Sequence, residues 1–348
     1  MFELSTSRHN PLIDPHLAVW SWEIPVYLFF GGIVAGMMVL AGVAMLRTLR
    51  GDDTRSFFSV QTPLLGFVLI NLGMGALFLD LSHKLYVWRV FTTFQVTSPM
   101  SWGSWVLILV YAVLLASSLY RLPESWPWLA ARFAPVQRAA DALAARPQLV
   151  RFLAWANVGL GVGLGIYTGI LLNTMVARPL WNSAILGPLF LVSGLSAGAA
   201  TIHLATRWLP RGAARPGPIG GALAALWQPL GPAAPDPRAA DGLIRLDLVF
   251  LGIELILLAL LLINLATSSA SHAAAGTLLL SGSYAVAFWG VVVGLGIFLP
   301  LALQGLELTH RIPHTALPAL LVLVGGFALR WVMVNAGQAS HIVQAAMH

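Results

Sequence analysis

Two glycine-rich apolar stretches decide the fold of this chain: FFGGIVAGMMVLAG at residues 29–42 and FLVSGLSAGAATIHLA at residues 190–205. Each lies inside an apolar run long enough to cross a bilayer as an α-helix. Small residues at helical spacing allow the backbones of membrane helices to approach closely. The similarity of the two stretches also favours an internal repeat, in which two four-helix halves make up the protein. The sequence therefore predicts a compact helical bundle in a membrane.

The composition places the whole chain in the same class. Of its 348 residues, 58% are hydrophobic and 9% are charged, and the mean hydropathy is +0.82. These values lie far outside the range of soluble domains. The predicted fold is all-α and integral to the membrane, with eight transmembrane helices in two four-helix bundles that form a single domain over residues 1–348. The helices are predicted at 22–47, 60–81, 101–121, 151–173, 183–208, 243–267, 278–304 and 314–337.

The distribution of Lys and Arg predicts the orientation. Four of these residues fall on the side of the termini and 14 on the opposite side, while Arg330 lies inside the last helix. The positive-inside rule places both termini outside, which in a bacterium is the periplasm. We therefore predict a multi-pass protein of the bacterial inner membrane, with a cytoplasmic linker at 210–242 and an amphipathic surface helix within 122–150. Because the basic residues serve orientation, no nucleic-acid partner is expected.

This topology brings a mixed set of polar and aromatic side chains to one level, the outer third of the membrane. They are Trp22, Glu23 and Tyr27 at the start of helix one, Asp80 and His83 at the end of helix two, Trp102 at the start of helix three, and Tyr167 near the end of helix four. Apolar walls with a few polar groups suit an amphipathic ligand that arrives from the lipid. A quinone is the obvious candidate, because its redox chemistry requires proton transfer to or from a nearby side chain.

Structural interpretations of the same residues stay open. Glu23 at a helix start is favoured by the positive end of the helix dipole, and Tyr167 is compatible with an aromatic belt. His83 is compatible with a surface loop. A functional role is favoured for Asp80, because an ionisable group near membrane depth is costly. Asp80, His83 and Tyr167 are the predicted catalytic residues.

A second polar set lies in the other half of the chain. It consists of His203 on helix five, Asp247 and Glu254 on helix six, Glu307 at the end of helix seven and Arg330 on helix eight. Asp247 and Glu254 are seven residues apart and share a helix face. They are compatible with a hydrated proton path from the inner side, and equally with buried partners of Arg330 or His203.

Several cofactors are not expected in this chain. It has no cysteine, so it cannot hold an iron–sulfur cluster through its own thiolates. A membrane haem generally needs two ligands on facing helices, and only His203 lies well within a predicted helix. The spacing of His, Asp and Glu residues matches no metal-site motif.

Several sequence blocks together resemble the NrfD/PsrC family of polysulfide-reductase-like membrane subunits. They are WSWEIPVYLFFGGIVAGMMVL at 20–40, LFLDLSHKLYVWRVF at 77–91, SPMSWGSW at 98–105, GIYTGILL at 165–172, PLWNSAILGPLFLVSGLSAG at 179–198 and GGFALRWVMVNAGQ at 325–338. The blocks run in order from the first helix to the last. One departure is Ser82-His83-Lys84, where many members have Gly-His-Pro or Gly-Arg-Pro.

The resemblance implies an eight-helix, haem-free subunit that exchanges electrons between a membrane quinone, menaquinone or ubiquinone, and a ferredoxin-like iron–sulfur subunit. That partner in turn serves a molybdopterin catalytic subunit or cytochromes. The resemblance also places the quinone head among Glu23, Tyr27, Asp80, His83 and Tyr167. The expected activity is that of one subunit of a quinone-linked oxidoreductase, incomplete alone. The alternatives are a proton channel or secondary transporter that uses the second polar set, and a membrane anchor without a ligand.

Overall fold

The computed structural model of the protein describes residues 20–51, 57–125, 130, 132–175, 177–208 and 237–340. Within these ranges the chain is helical and contains no β-strand. Eight of the helices are long and apolar enough to cross a membrane. The spans, numbered in chain order, are Glu23–Leu49, Phe57–Asp80, Pro99–Ser125, Pro147–Asn173, Leu186–Trp208, Pro237–Thr267, Val286–Leu308 and Leu317–Ala339.

Three observed boundaries differ from the predicted ones by more than four residues. Residues 210–236 of the predicted linker lie outside the described residues. Its last part, 237–242, belongs to the sixth span. The seventh span begins at Val286, because a Ser-Gly-Ser turn at 281–283 separates it from a short helix, Ala270–Leu280. Of the predicted surface segment 122–150, an amphipathic helix covers Ala134–Ala144, while 126–129 and 131 lie outside the described residues.

The spans pack as two similar groups of four. In the first group, the first span contacts the second and fourth, and the third lies between those two. In the second group, the fifth span contacts the sixth and eighth, and the seventh contacts both of these. The two groups meet where the first span contacts the fifth and eighth, and where the fourth contacts the fifth. The predicted eight-helix, all-α membrane architecture is confirmed, whereas the orientation in the membrane stays a prediction.

The contact between the first and fifth spans is made by main chain on main chain. A Cβ atom on Gly36 would overlap the carbonyl group of Gly194, and one on Gly194 would lie 2.7 Å from the carbonyl oxygen of Gly32. A Cβ on Gly198 would lie 2.8 Å from the carbonyl carbon of Gly36. These four glycines belong to the two similar stretches, 29–42 and 190–205. Their spacing by four residues lets the two helices touch without intervening side chains.

A loop between the fourth and fifth spans donates hydrogen bonds to the eighth span, at the same end of the bundle as Glu23 and Asp80. The Arg178 guanidinium donates to the carbonyl oxygens of Gln338 at 2.6 Å and Ser340 at 2.8 Å, which satisfies carbonyls at the helix end. The buried indole of Trp181 donates to the Met333 carbonyl oxygen at 2.7 Å. The two halves are therefore joined at this end as well as at the glycine crossing.

We predict that Gly36→Leu destabilises the folded protein by about 3 kcal/mol, because the new side chain must separate two helix backbones that have no room to yield. The check is the thermal unfolding midpoint of the purified protein in detergent. Gly159→Leu is the matched control, since nothing lies within 4 Å of a Cβ at that position. Equal midpoints for the two variants would contradict the close backbone contact.

Candidate functional site

A buried group of tyrosines lies inside the first four-helix group. Tyr27 of the first span and Tyr167 of the fourth are both buried, and the two side chains interact electrostatically. The Tyr167 phenol lies against the third span so closely that a Cβ on Gly103 would overlap its ring. Thus Gly103 makes the space that Tyr167 occupies. Three spans position these two phenols.

Two carboxylates lie at the same end. Glu23 begins the first span, and Asp80 ends the second span; the two side chains are close enough to interact electrostatically. The Oε2 atom of Glu23 is buried and has no hydrogen-bond partner among the described residues. Glu23 and Tyr27 are four residues apart and therefore share one helix face. A carboxylate oxygen that is buried and unpaired is unusual in a folded protein and indicates a missing partner.

Three of the predicted site residues lie on the surface instead of in this buried group. The side chain of Trp22 is 57% exposed and that of Trp102 is 46% exposed, and the Trp102 indole donates to the Val96 carbonyl oxygen at 2.7 Å. His83 is exposed in the loop that follows the second span, with its ring centroid 6.5 Å from that of Tyr86. The roles predicted for these three residues stay predictions.

Sequence reasoning missed two polar residues of the same region, Asn71 on the second span and Tyr111 on the third. The Tyr111 hydroxyl donates to Asn71 Oδ1 at 3.2 Å. Tyr111 also interacts electrostatically with Tyr27, which links the pair to the buried phenols. Both residues lie in the middle of apolar helices, and this position is the feature of the sequence that indicates a functional role.

Three members of the second polar set line a cavity of about 20 Å³ at the predicted inner end of the second four-helix group. This volume holds about one water molecule. The polar residues lining it are His203, Asp247, Gln304, Glu307 and Thr315. Asp247 accepts hydrogen bonds from Ser196 Oγ and Gln304 Nε2, both at 2.5 Å. Gln304 Oε1 is buried with no partner among the described residues, so it offers an acceptor to a water molecule.

The cavity is connected to the predicted inner surface through a short polar series. Glu307 Oε1 accepts from the Thr315 backbone nitrogen at 2.8 Å and from the Thr315 hydroxyl at 3.0 Å. His314 lies between two carboxylates, with Nδ1 at 3.7 Å from Glu307 Oε2 and Nε2 at 3.4 Å from Asp241 Oδ1. His314 is about one-third exposed, so this series reaches the surface of the protein.

Arg330 lies fully buried where the two halves meet. Its guanidinium donates to the carbonyl oxygens of Gly326 at 2.7 Å, Leu28 at 3.3 Å and Phe190 at 3.3 Å. It also donates to Ser193 Oγ at 2.9 Å, and the Glu254 carboxylate is buried nearby. Glu254 interacts electrostatically with Arg330 and with Asp247. The structure thus brings Arg330 and Glu254 together.

No group of three or more His, Asp or Glu side chains is placed to hold a metal ion in the part of the chain that the structure describes. The chemistry available in the first four-helix group is therefore that of phenols and carboxylates. In the second group it is that of a carboxylate-lined cavity and of a buried guanidinium that lies close enough to Glu254 to interact electrostatically. Neither set has an arrangement typical of a hydrolytic nucleophile with its base.

Known proteins that are similar to this chain include subunits of two reductases. The sequence profile of the family described as "Polysulphide reductase, NrfD" matches residues 10–220 and 222–342. A polysulfide reductase chain of Wolinella succinogenes is 30% identical over 331 residues, which are 92% of this chain and 94% of the relative. Protein NrfD of Escherichia coli is 28% identical over 92% of this chain and 95% of its own length. A selenate reductase subunit of Mesobacillus selenatarsenatis is 25% identical over 90% of this chain and 73% of its own length.

We predict that Arg330→Met lowers stability by about 3–5 kcal/mol, because it leaves the Glu254 carboxylate and several carbonyl oxygens unpaired in the interior. The check is the thermal unfolding midpoint in detergent, with Arg151→Met as control because that side chain is exposed. The double variant Arg330→Met/Glu254→Gln should recover part of the loss, since the unpaired charge is then removed. A single variant as stable as the control would show that the Arg330 guanidinium contributes nothing to the stability of the folded protein.

Proposed function

Because the chain belongs to the polysulphide reductase NrfD family, we propose that it is the haem-free, quinone-binding membrane subunit of a multi-subunit oxidoreductase. It exchanges electrons between the quinone pool, menaquinone or ubiquinone, and a ferredoxin-like iron–sulfur subunit. The complex also includes a molybdopterin catalytic subunit or a cytochrome subunit. In this proposal the protein resides in the bacterial inner membrane with both termini in the periplasm. Two relatives are named as parts of a polysulfide reductase and a selenate reductase, which supports an oxidoreductase complex.

The observation that carries the proposal is the buried Glu23 Oε2 atom, which has no partner among the described residues. A quinol hydroxyl is a donor of the kind that this oxygen lacks. Asp80 lies close enough to interact with Glu23, and Tyr27 follows one turn later on the same helix face. Buried phenols on apolar helices then provide the aromatic walls and polar tips that suit a quinone ring. The residues present therefore fit this substrate.

The role of these side chains is proton transfer. Oxidation of a quinol yields two electrons, which leave to the partner's iron–sulfur centre, and two protons, which need an acceptor within hydrogen-bond reach. Glu23 is the buried acceptor. Asp80 is only half-buried at the end of its span, so it passes protons to water at the predicted outer surface. Tyr167, held by its contact with Gly103, orients the ring. Reduction of a quinone uses the same groups with the protons moving in the opposite direction.

We predict that Asp80→Asn lowers kcat for quinol oxidation by about 100-fold or more, because the amide cannot take a proton from Glu23 and pass it to water. The measurement is menadiol and decylubiquinol oxidation by the intact complex, with the amount of each subunit checked after purification. Asp141→Asn, on an exposed helix face, is the control and should behave as the unmodified protein. Full activity of Asp80→Asn would remove Asp80 from the mechanism. A complex that neither binds a quinol analogue nor oxidises quinol would refute the quinone function itself.

A second function, proton movement through the second four-helix group, is favoured by the continuity of its polar side chains. The series runs from the cavity around His203 and Glu307, through Asp247, to Glu254 and Arg330. Arg330 donates to the carbonyl oxygen of Leu28, the residue next to Tyr27. The series thus extends from the predicted inner surface to the contact between the two halves. We propose that protons move along this polar series during quinone turnover.

We predict that Asp247→Asn abolishes proton uptake from the inner side during quinol turnover, because the amide cannot accept and release a proton. The readout is a pH-sensitive dye enclosed in proteoliposomes that contain the whole complex, with Asp141→Asn as control. Unchanged uptake in Asp247→Asn would exclude this route. Proton flux in liposomes that hold only this subunit, without any redox partner, would instead support the channel or transporter alternative.

A further inference from the structure

The Asn71–Tyr111 pair lies deep in the membrane yet on the outside of the helix bundle. Asn71 is nine residues from Asp80, which corresponds to about 14 Å along the helix axis. Its side chain is exposed, as are its neighbours Leu72 and Gly75, whereas Tyr111 is half-buried between the second and third spans. A polar amide on a surface at this depth faces hydrocarbon and is costly. A polar pair in such a position therefore requires an explanation.

The pair has unused hydrogen-bonding capacity. One hydrogen of Asn71 Nδ2 is donated to the Phe67 carbonyl oxygen at 2.6 Å, and Asn71 Oδ1 accepts from the Tyr111 hydroxyl. The second Nδ2 hydrogen has no protein acceptor within the described ranges, and the Tyr111 oxygen is free to accept a further bond. The pair thus offers one donor and one acceptor side by side. A hydroxyl group on an apolar ring can bond both the donor and the acceptor, and a ring carbonyl can accept from the donor.

The surface around the pair is shaped for a flat apolar body. Gly75 lies one turn above Asn71 on the same helix face, and nothing lies within 4 Å of the place where a Cβ would stand. This leaves a notch in the surface of the second span. The Phe67 ring packs edge-on against Tyr111 at 5.9 Å between centroids and closes the lower side. On the third span, the exposed Ile108 lies one turn above Tyr111 and continues the apolar wall.

The pair is also connected to the buried site. Tyr111 interacts electrostatically with Tyr27, and Tyr27 interacts in the same way with Tyr167. The Tyr111, Tyr27 and Tyr167 phenols therefore lie in the same region of the first four-helix group.

We propose that the Asn71–Tyr111 pair, with the notch at Gly75, is a lipid-facing docking site for the ring of a quinone or quinol on its way between the bilayer and the buried site. This inference rests on the proposed quinone function and deepens it. Asn71 Nδ2 donates to a ring oxygen, the Tyr111 oxygen accepts from that oxygen when it is a quinol hydroxyl, and the ring lies in the notch. Asn71 and Tyr111 are positioning residues, because no proton or electron transfer occurs at this site.

The test compares Asn71→Leu and Gly75→Leu in the intact complex. Asn71→Leu removes the donor, and Gly75→Leu fills the notch without disturbing a packed contact. We expect each to raise KM for decylubiquinol and menadiol about three- to tenfold, the effect of losing one hydrogen bond or an equivalent contact, with kcat retained. Gly163→Leu is the matched control, since Gly163 is also exposed with nothing within 4 Å of a Cβ position. A KM like that of the unmodified complex is expected for this control.

A second readout does not depend on turnover. An azidoquinone photolabel should attach to the peptide that contains Asn71 and Gly75, and the labelling of that peptide should be lost in Gly75→Leu but kept in Gly163→Leu. If both test variants keep an unaltered KM and unaltered labelling, while Asp80→Asn loses turnover, the docking site is refuted and the quinone function stands. The surface is then covered by an acyl chain or by a helix of a partner subunit. If the unmodified complex is neither labelled nor active with quinol, the quinone function fails, and the docking site fails with it.

Discussion

The contact of the first and fifth spans through glycine is the constraint on which the rest of the structure depends. Gly36 and Gly194 touch through their backbones, so the two helices at the centre of the molecule share one fixed crossing. The other spans pack around this pair in two similar groups of four. Because lipid provides no hydrophobic force between helices, close packing of this kind is a main source of association in a membrane. The crossing therefore determines where each polar side chain lies.

The two halves differ in chemistry although they are similar in architecture. In the first half, Tyr27 and Tyr167 form a buried aromatic group with carboxylates at its outer end. In the second half, Asp247 and Glu254 form a buried acidic series next to a small cavity. Arg330 belongs to the second half but donates to the carbonyl oxygen of Leu28 in the first. The two four-helix groups of this NrfD-family chain thus carry separate sets of polar groups, and one guanidinium of the second half contacts the backbone of the first.

Much of this arrangement is readable from the sequence, because hydrophobicity and glycine spacing act locally along a helix. The spans, the two halves and the closeness of Glu23 to Asp80 follow from apolar runs and from counting depth along alternating helices. Side-chain direction does not follow in this way. Trp102 and His83 lie at the expected level but face outwards, and the Asn71–Tyr111 bond joins residues 40 positions apart. Such outcomes depend on the rotation of each helix about its axis, which neighbouring helices determine.

The burial of Arg330 has a consequence for how the protein is made. Insertion of a lone arginine at the centre of a membrane helix costs about 2.5–3.5 kcal/mol on insertion scales. The groups that offset this cost, such as the carbonyl oxygen of Phe190 and the carboxylate of Glu254, belong to earlier spans. The last of the eight spans to leave the ribosome is therefore the one that most needs the others in place. A protein truncated before this span would leave the buried Glu254 carboxylate without the guanidinium that lies near it.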